Sequence, residues 1–287
     1  MSLDNFIPEI WSAELLRAYE RALVYAQPGV VNRDYEGDIR AAGDTVRINS
    51  IGDPTIGDYT KNTNISAVET LTDAQATLTI DQQKYFNFQV DDIDAAQQKP
   101  KVMAAAMERA GFGLRSAVDA FVASLYTDAA GAIGSTGSPK TVTEPATTSN
   151  LTAYEYLVDL GVILDEADVP SDGRFAIVPS WYHGLLLKDD RFVASGAARG
   201  DQVLRTGMIG EAAGFTVIKS NNVPNTTATK YRIVAGHPSA WSFAAQIASI
   251  EAYRPELRFA NAVKGLLVYG AKVVKPAGLA VLVANKA

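Results

Sequence analysis

The residues best suited to chemistry in this sequence are its two histidines, His183 and His237. The chain contains no cysteine, which excludes thiolate catalysis, disulfides and cysteine-ligated metal sites. Neither histidine belongs to the H-E-x-x-H pattern that binds zinc, and no serine has the G-x-S-x-G setting of an exposed nucleophile. We therefore expect both histidines to be structural or exposed.

Acidic residues give no stronger chemical signal. The neighbouring carboxylates at Asp165-Glu166 and Asp189-Asp190 diverge along the backbone, so we interpret them as surface acids. The run Asp91-Asp92-Ile93-Asp94 would suit a metal, but such acids more often cap the free N–H groups at a helix N-terminus.

The glycines Gly207, Gly210 and Gly214 resemble a phosphate-binding loop only superficially, because no G-x-G start and no Lys-Ser/Thr pair accompany them. We predict instead that they form tight turns ahead of a strand that begins at Phe215. Together these patterns predict no catalytic residue, no cofactor and no metal, and hence a protein that is not an enzyme.

Composition and charge narrow the class of protein further. A hydrophobic fraction of 47% and a charged fraction of 20% are typical of a globular chain. The net charge of -6 argues against tight phosphate-driven binding of nucleic acid. The charge is uneven, however: residues 141–173 hold seven acids and no Lys or Arg, whereas residues 251–287 hold six basic residues and two acids. We interpret these as solvated faces, with a weak basic surface near DNA as a secondary interpretation.

The ends of the chain carry no targeting or membrane signal. The amino terminus has neither a basic start nor an apolar run, and the longest apolar stretch, Ala277 to Ala284, is far shorter than the ~20 residues that span a bilayer. We expect a soluble protein with no membrane partner.

The stretch from Gln82 to Asp128 organises the rest, because its middle has the periodicity of a long helix. We predict a helix over residues 100–128 of about 40 Å, beginning at Pro100, with a bend allowed at Gly111 and Gly113. The apolar stripe has spacings of 4, 3, 4, 4, 3 and 4 residues and consists of Met103, Met107, Ala110, Leu114, Val118, Phe121 and Leu125.

An amphipathic helix is predicted over Ile7 to Gln27, ended by Pro28-Gly29. The polar run that follows has too little apolar content to fold back alone. We therefore predict an arm that binds a neighbouring chain. Its candidate contact residues are Ile10, Trp11, Leu15 (with Leu16 as the alternative) and Tyr19, and Leu23 continues the apolar stripe.

Two strands are predicted at Thr45 to Ile51 and Ala76 to Val90, separated by about two dozen polar residues. Ordinary hairpin loops hold two to five residues. We predict that this long hairpin is an extended arm lying on another subunit. Its candidate contact residues are Asp58, Tyr59, Lys61 and Asn62.

The remainder alternates helices and strands, which indicates a mixed α/β layer. Gly131 to Pro139 is interpreted as a flexible join and a domain boundary. A helix over Thr152 to Asp168 is predicted to start with a capping box of Thr152 and Glu155. Further elements are a strand at 174–178, a helix at 179–187, and strands at 231–235, 247–253, 263–274 and 279–283.

Six segments, taken in order, resemble the major capsid proteins of tailed bacteriophages of the Hong Kong 97 type. They are Phe6–Ser12, the loop from Val46–Ile48 to Tyr59–Lys61, Tyr85–Asp94, Arg174–Pro179 with Leu185-Leu186 and Asp190–Phe192, Gly214–Pro224, and Gly265–Pro276.

The resemblance implies an α+β Hong Kong 97-like capsid fold. Its regions would be an amino-terminal arm (1–44), an extended loop or E-loop (45–90), a peripheral domain with the long spine helix (91–135 and 254–287) and an axial α/β domain (136–253). It also implies self-assembly into pentamers and hexamers of an icosahedral shell around double-stranded DNA, within the host cytoplasm. Because the chain starts almost at the arm, we expect a separate scaffolding protein, together with a portal and weak non-specific contact with packaged DNA.

Two points stay open at this stage. Shells of this type can be cross-linked through a lysine, an asparagine and a glutamate, parts that Lys61, Asn261 and Glu256 could fill, although a surface or ion-pairing lysine is the default. Alternatives to the phage shell are an encapsulin-like compartment, an α/β enzyme, and a tail or decoration protein.

Overall fold

The computed structural model describes residues 23–35, 45–51, 55–62, 64, 73–91, 102–144, 151–189, 210–257 and 259–286. Its α-helices within these ranges are α1 (Val102–Ser124), α2 (Ala153–Glu166) and α3 (Ser180–Leu187). Short 3-10 turns lie at Leu125–Asp128, Pro238–Ala240 and Pro276–Gly278.

The strands of the same ranges form a two-stranded, a three-stranded and an eight-stranded sheet. They are β1 (Thr45–Ile51), β2 (Asp73–Thr79), β3 (Gln82–Asp91), β4 (Gly131–Ile133), β5 (Lys140–Val142), β6 (Phe175–Val178), β7 (Glu211–Ala212), β8 (Phe215–Lys219), β9 (Asn225–Thr226), β10 (Lys230–Gly236), β11 (Trp241–Tyr253), β12 (Ala260–Val273) and β13 (Leu279–Lys286).

The long helix is confirmed, with its last predicted turn wound as a 3-10 helix. Met107 and Val118 are fully buried, as the apolar stripe requires. The first half of α1 packs on the antiparallel sheet β11-β12-β3, where Met107 and Val263 form a small core with Phe86 and Phe88. This sheet therefore has one face covered by α1.

The strand predicted over 76–90 is in fact two strands in different sheets. β2 pairs with β1 in an antiparallel hairpin, from Thr45 opposite Thr79 to Ile51 opposite Asp73. β3 pairs with β12 instead. The break falls at Ile80 and Asp81, because Ile80 is buried in the core beneath the hairpin while β3 turns away to join the second sheet.

The eight-stranded sheet has the order β4-β13-β10-β6-β8-β7, with β5 beside β13 and β9 beside β10. One face packs against α2 and α3 in a core that includes Leu160, Tyr182 and Leu282. The predicted capping box of α2 is confirmed: Thr152 Oγ1 accepts from the Glu155 N–H, and the Thr152 N–H donates to Glu155 Oε2 at 2.7 Å. The opposite face packs against α1 and residues 23–31.

Two local predictions are wrong. The interpretation of Gly131 to Pro139 as a flexible join fails at its start, because β4 pairs in parallel with β13 and a Cβ at Gly131 would lie 2.5 Å from Ile163 Cγ2. The predicted helix does not continue through residues 23–27, which form turns. The rest of that helix lies outside the described residues, as does the predicted helix start at Pro100.

The division into arm, loop, peripheral and axial regions stays a prediction. The sheets cross its limits, since β11 pairs with β12 on either side of residue 254, and β13 lies in the same sheet as β10.

Candidate assembly surfaces

The hairpin tip is exposed along its whole described length, from Thr55 to Asn62. Two of its residues are nevertheless large and apolar: Ile56 is 95% exposed and Tyr59 is 73% exposed. Four predicted contact residues lie together here, namely Asp58, Tyr59, Lys61 and Asn62. Sequence reasoning missed Ile56, although an isoleucine inside a polar loop is itself a signal of contact.

The base of the same hairpin is buried. Val46, Ile48 and Leu78 pack with Ala244 and Val268 of the two long strands. The tip is therefore carried by a base that is fixed in the body of its own subunit.

A second exposed apolar surface lies at the turn between β11 and β12. Leu257 is 97% exposed and Phe259 is 84% exposed. Further along the same sheet, on β3, Tyr85 is 79% exposed and lies opposite Leu266 of β12. None of these residues was predicted as a contact, because their exposure depends on which strands pair.

The same sheet carries an ordered polar network beside this turn. Lys264 Nζ lies 2.7 Å from Glu251 Oε2 and 5.4 Å from the centre of the Tyr253 ring. The hydrogen bond to Glu251 and its charge raise the pKa of Lys264. The Tyr253 hydroxyl contacts Asn87 Oδ1 at 3.1 Å. These contacts are exposed, so they orient side chains more than they stabilise the fold.

The helices expose apolar groups as well. Phe112 on α1 is 59% exposed, and the Arg115 guanidinium lies 4.2 Å from its ring centre. On α2, Val158 and Val162 are 40% and 48% exposed and stand one turn apart.

The root of the predicted amino-terminal arm is fixed to α1. Asp119, which is fully buried, accepts hydrogen bonds from the backbone N–H groups of Val24, Tyr25 and Ala26. Burial raises the pKa of Asp119, and the three hydrogen bonds and Arg115 oppose that rise. The candidates Ile10, Trp11, Leu15 and Tyr19 lie outside the described residues.

The two histidines that were considered for chemistry lie among groups that have structural roles. His237 Nδ1 lies 2.8 Å from Ser239 Oγ, at the start of a 3-10 turn. His183 is half-buried, and burial followed by the charge of Lys219 lowers its pKa. Within the described ranges, no three His, Cys, Asp or Glu side chains are grouped as metal ligands.

The neighbouring acids differ partly from expectation. Asp165 is a surface acid that pairs with Arg174 at 2.7 Å, but Asp189 is only 5% exposed, so its interpretation as a surface acid is wrong. Its backbone N–H donates to the Leu186 carbonyl oxygen at 3.1 Å, which keeps Asp189 against the end of α3. Asp92, Asp94 and Asp190 lie outside the described residues.

The glycines ahead of Phe215 form turns, as predicted. Gly210 and Gly214 have φ of 71° and 79°, which confirms their role in tight turns next to β7 and β8. Gly207 lies outside the described residues.

A polar cleft of about 290 Å³ lies between the turn at 171–174 and the hairpin β7–β8. Asp172 and Glu211 line it, and Arg174 is already bound by Asp165 and by the Pro170 carbonyl oxygen. The described helices include none with the length and apolar character needed to span a bilayer. The exposed apolar surfaces are therefore the candidate functional sites of this molecule.

A family model described as phage capsid protein matches residues 74–282. The chain belongs to the phage capsid protein family. Among solved structures, a protein of Mycobacterium phage Che8 is 30% identical, with 91% of each chain covered and a TM-score of 0.72. No curated protein sequence matches the chain.

More distant structures share the fold alone. The capsid of cyanophage P-SCSP1u is 16% identical over 93% of this chain and 89% of that one, with a TM-score of 0.71. A virus-like particle from Pyrococcus furiosus is 15% identical over 96% and 98% of the two chains, with a TM-score of 0.54. This capsid protein thus has the Hong Kong 97-like fold and a structural rather than an enzymatic role, as part of a virion shell built from its own copies.

Proposed function

We propose that this capsid protein forms the pentamers and hexamers of an icosahedral phage head that encloses double-stranded DNA. The observation that carries the proposal is the hairpin, whose base is buried in its own subunit while its tip presents Ile56 and Tyr59 to solvent. Exposed apolar groups of this size cost free energy until another surface covers them. In a shell, that surface is a neighbouring copy.

Neighbouring copies meet at the hairpin tip and at the turn from residue 254 to 259. The tip contributes Asp58, Tyr59, Lys61 and Asn62, and the turn contributes Leu257 and Phe259. The amino-terminal arm adds a further contact through Ile10, Trp11, Leu15 and Tyr19. Asp119 fixes the backbone of residues 24–26. An arm anchored there can reach only a limited part of the next copy, which favours one defined contact.

Covalent cross-linking is one further use of the hairpin tip. In such a step the neutral Lys61 amine attacks the side-chain carbonyl carbon of Asn261. Glu256 takes a proton from the attacking nitrogen and returns it to the leaving nitrogen, so that a new amide forms and ammonia departs. Lys61, Glu256 and Asn261 are all exposed, as a reaction between copies requires. An uncross-linked shell, with Lys61 as an ordinary surface residue, fits the same exposure.

The proposed partners beyond other copies are a separate scaffolding protein, a portal and the packaged DNA, with assembly in the host cytoplasm. A cargo-enclosing compartment is less favoured, because its support is a fold shared at 15% identity, whereas the phage capsid family matches most of the chain.

Particle imaging tests the proposal. The full chain is expressed alone and together with the products of neighbouring genes, and the purified material is examined by electron microscopy and sedimentation. Closed particles of uniform size are the expected result. A monodisperse monomer under every co-expression condition would overturn the proposal.

A further inference from the structure

One end of the eight-stranded sheet carries a cluster of basic residues. Lys140 lies on β5, Lys230 and Arg232 lie on β10, and Lys286 ends β13. The strand register brings them together: Lys230 is opposite Asn285, and Asn285 is beside Thr141. We call Lys140, Lys230, Arg232 and Lys286 the basic end.

The segments that build the basic end include no acid. Residues 134–142, 225–236 and 279–286 contain no Asp or Glu, in a chain whose net charge is -6. The nearest acid along the chain, Glu144, is paired with Lys188. No acidic side chain of these segments therefore neutralises the positive charge of this end.

The two cations on β10 are held by neutral groups. Arg232 is only 7% exposed, yet its Nη2 donates to Thr226 Oγ1 at 2.8 Å and to Thr136 Oγ1 at 3.4 Å. Its guanidinium lies 5.2 Å from the centre of the Tyr126 ring, and its buried Nε–H has no hydrogen-bond partner among the described residues. Lys230 Nζ donates to the Thr136 carbonyl oxygen at 2.8 Å. This setting is unusual, because buried charges are normally paired with an opposite charge.

Exposed hydroxyl groups lie on the strand ends and turns that build the basic end. Thr136, Thr141 and Thr226 are exposed, and so are Thr227 and Thr229 of the turn between β9 and β10. Thr227 and Ala228 both have positive φ, 55° and 54°, which for residues other than glycine is a strained conformation. The strained turn holds Thr226 beside Arg232.

We propose that the basic end binds the phosphate backbone of packaged nucleic acid. Phosphate oxygens are contacted in proteins by Lys, Arg and Thr side chains without reading of sequence, and those are the residue types present here. Lys230 and Arg232 share one face of the sheet, whereas Lys140 and Lys286 share the other, so the positive charge surrounds the strand ends. The contact is weak and salt-sensitive, because the net charge of the whole chain is negative.

A carboxylate of a second copy is the competing occupant. The opposite end of the sheet carries exposed acids at Glu166, Asp168, Asp172 and Glu211. Several cations spread over three strands favour a polyanion, because it offers a charge to each of them. A single carboxylate would pair with only one cation. The proposal rests on the proposed enclosure of DNA, and its test is separate from particle formation.

The experiment measures binding of the full-length chain to a fluorescent duplex of about 30 base pairs by anisotropy, over a salt range of roughly 25 to 200 mM. The test variant is Lys140→Gln, Lys230→Gln and Lys286→Gln together, which leaves the buried Arg232 intact. The control variant removes the same charge from exposed lysines elsewhere: Lys84→Gln, Lys219→Gln and Lys272→Gln. Circular dichroism and thermal melting check that both variants are folded.

For the test variant, the slope of log affinity against log salt should become shallower by about 2 to 3, because each phosphate that is no longer neutralised reduces the slope by ~0.9. The control should keep the wild-type slope. Equal reductions in both variants, an unchanged slope in the test variant, or no binding by the wild-type chain at the lowest salt concentration would each overturn the proposal.

Particle imaging of the same variants separates the proposed shell assembly from the proposed binding of nucleic acid by the basic end. If the test variant stops assembling but keeps its DNA binding, the basic end is an interface between copies and the proposal is wrong. If no protein assembles, yet only the test variant loses DNA binding, the proposed function fails, while the binding of nucleic-acid phosphate by the basic end stands.

Discussion

The backbone N–H of Tyr25 donates a hydrogen bond of 3.1 Å to Oδ1 of Asp119, a residue 94 positions further along the chain. The Val24 N–H donates to Oδ2 of the same carboxylate at 3.0 Å, and the Ala26 N–H donates to Oδ1 at 3.4 Å. In a helix these three N–H groups would donate to backbone carbonyl oxygens. Here the Asp119 carboxylate is their acceptor instead. One side chain of α1 thus holds residues 24–26, which belong to the predicted amino-terminal arm.

Removing this carboxylate should destabilise the subunit strongly. We expect Asp119→Ala to lower the free energy of unfolding by about 3 kcal/mol, because several buried N–H groups lose their acceptor at once. Urea denaturation measures the change. Asp159→Ala, at an exposed position on α2, is the matched control and should stay within about 0.5 kcal/mol of the wild type. Similar effects of the two substitutions would contradict the role of Asp119.

Stability should depend on pH through the same residue. Burial raises the pKa of Asp119 above 3.8, and the groups that face it are Arg115 and Tyr25, whose own pKa is raised so that its hydroxyl stays neutral. Between the ordinary and the raised pKa, the folded state binds more protons than the unfolded state. The stability of the wild type relative to Asp119→Asn should therefore rise as the pH falls from neutrality through the raised pKa towards 3.8.

Urea midpoints of the two proteins, measured at several pH values from about 7 to about 4, give this difference directly. Because Asn does not titrate, other groups cancel in the comparison. A difference that is constant, or that shrinks on acidification, would show that burial does not dominate at Asp119.

Two buried tyrosines show how much a hydrogen bond of a buried hydroxyl contributes to the free energy of unfolding. The Tyr25 hydroxyl is buried and has no partner within the described part of the chain, whereas the Tyr182 hydroxyl donates to the Ala153 carbonyl oxygen at 2.6 Å. Tyr25→Phe should be neutral or stabilising by up to about 1 kcal/mol, because it removes an unpaired polar atom. Tyr182→Phe should cost about 1 kcal/mol. Thermal or urea unfolding of both variants measures the effects, and the reverse order would refute the assignment.

The hairpin tip should matter for assembly and not for folding. We expect Ile56→Glu with Tyr59→Glu, or deletion of residues 58–68, to leave the unfolding transition unchanged but to reduce closed particles at least tenfold. Sedimentation and electron microscopy count the particles. Thr60→Glu, an exposed polar site on the same tip, controls for added charge. Normal particle yield from the deletion would remove the tip from the interface.

The sequence predicted those parts of the fold that depend on local pattern. The periodicity that includes Met107 and Val118 located α1, and the Thr152–Glu155 pair located the start of α2, because both signals act within a few residues. The exposure of the tip residues Tyr59 and Lys61 could be predicted for the same reason, because the loop around them is mostly polar.

What the sequence could not predict depends on partners distant in the chain. The break at Ile80 follows from a core shared with Ala244 and Val268, and the fixed turn at Tyr25 follows from Asp119. The exposure of Leu257 and Phe259 depends on the pairing of two long strands, so it was missed. No periodicity within these segments carries that information.

The hairpin's attachment can be tested with two glycines that differ in their surroundings. A Cβ at Gly270 of β12 would lie 2.3 Å from the Thr79 carbonyl oxygen of β2, so Gly270→Ala must push the base of the hairpin away from the long strand. At Gly113 of α1, none of the described residues comes within 4 Å of an added Cβ. The same methyl group is therefore forced into contact at one site and accommodated freely at the other.

We expect Gly270→Ala to lower the free energy of unfolding by about 1 to 3 kcal/mol and to reduce particle yield, because the tip is then presented at a different position. Gly113→Ala should instead stabilise the chain by up to about 1 kcal/mol, through the better helix propensity of alanine, and leave assembly intact. Urea unfolding and particle counts on both variants make the comparison. A harmless Gly270→Ala would mean that β2 and β12 are not held in contact, and the fixed base on which the proposed function depends would be lost.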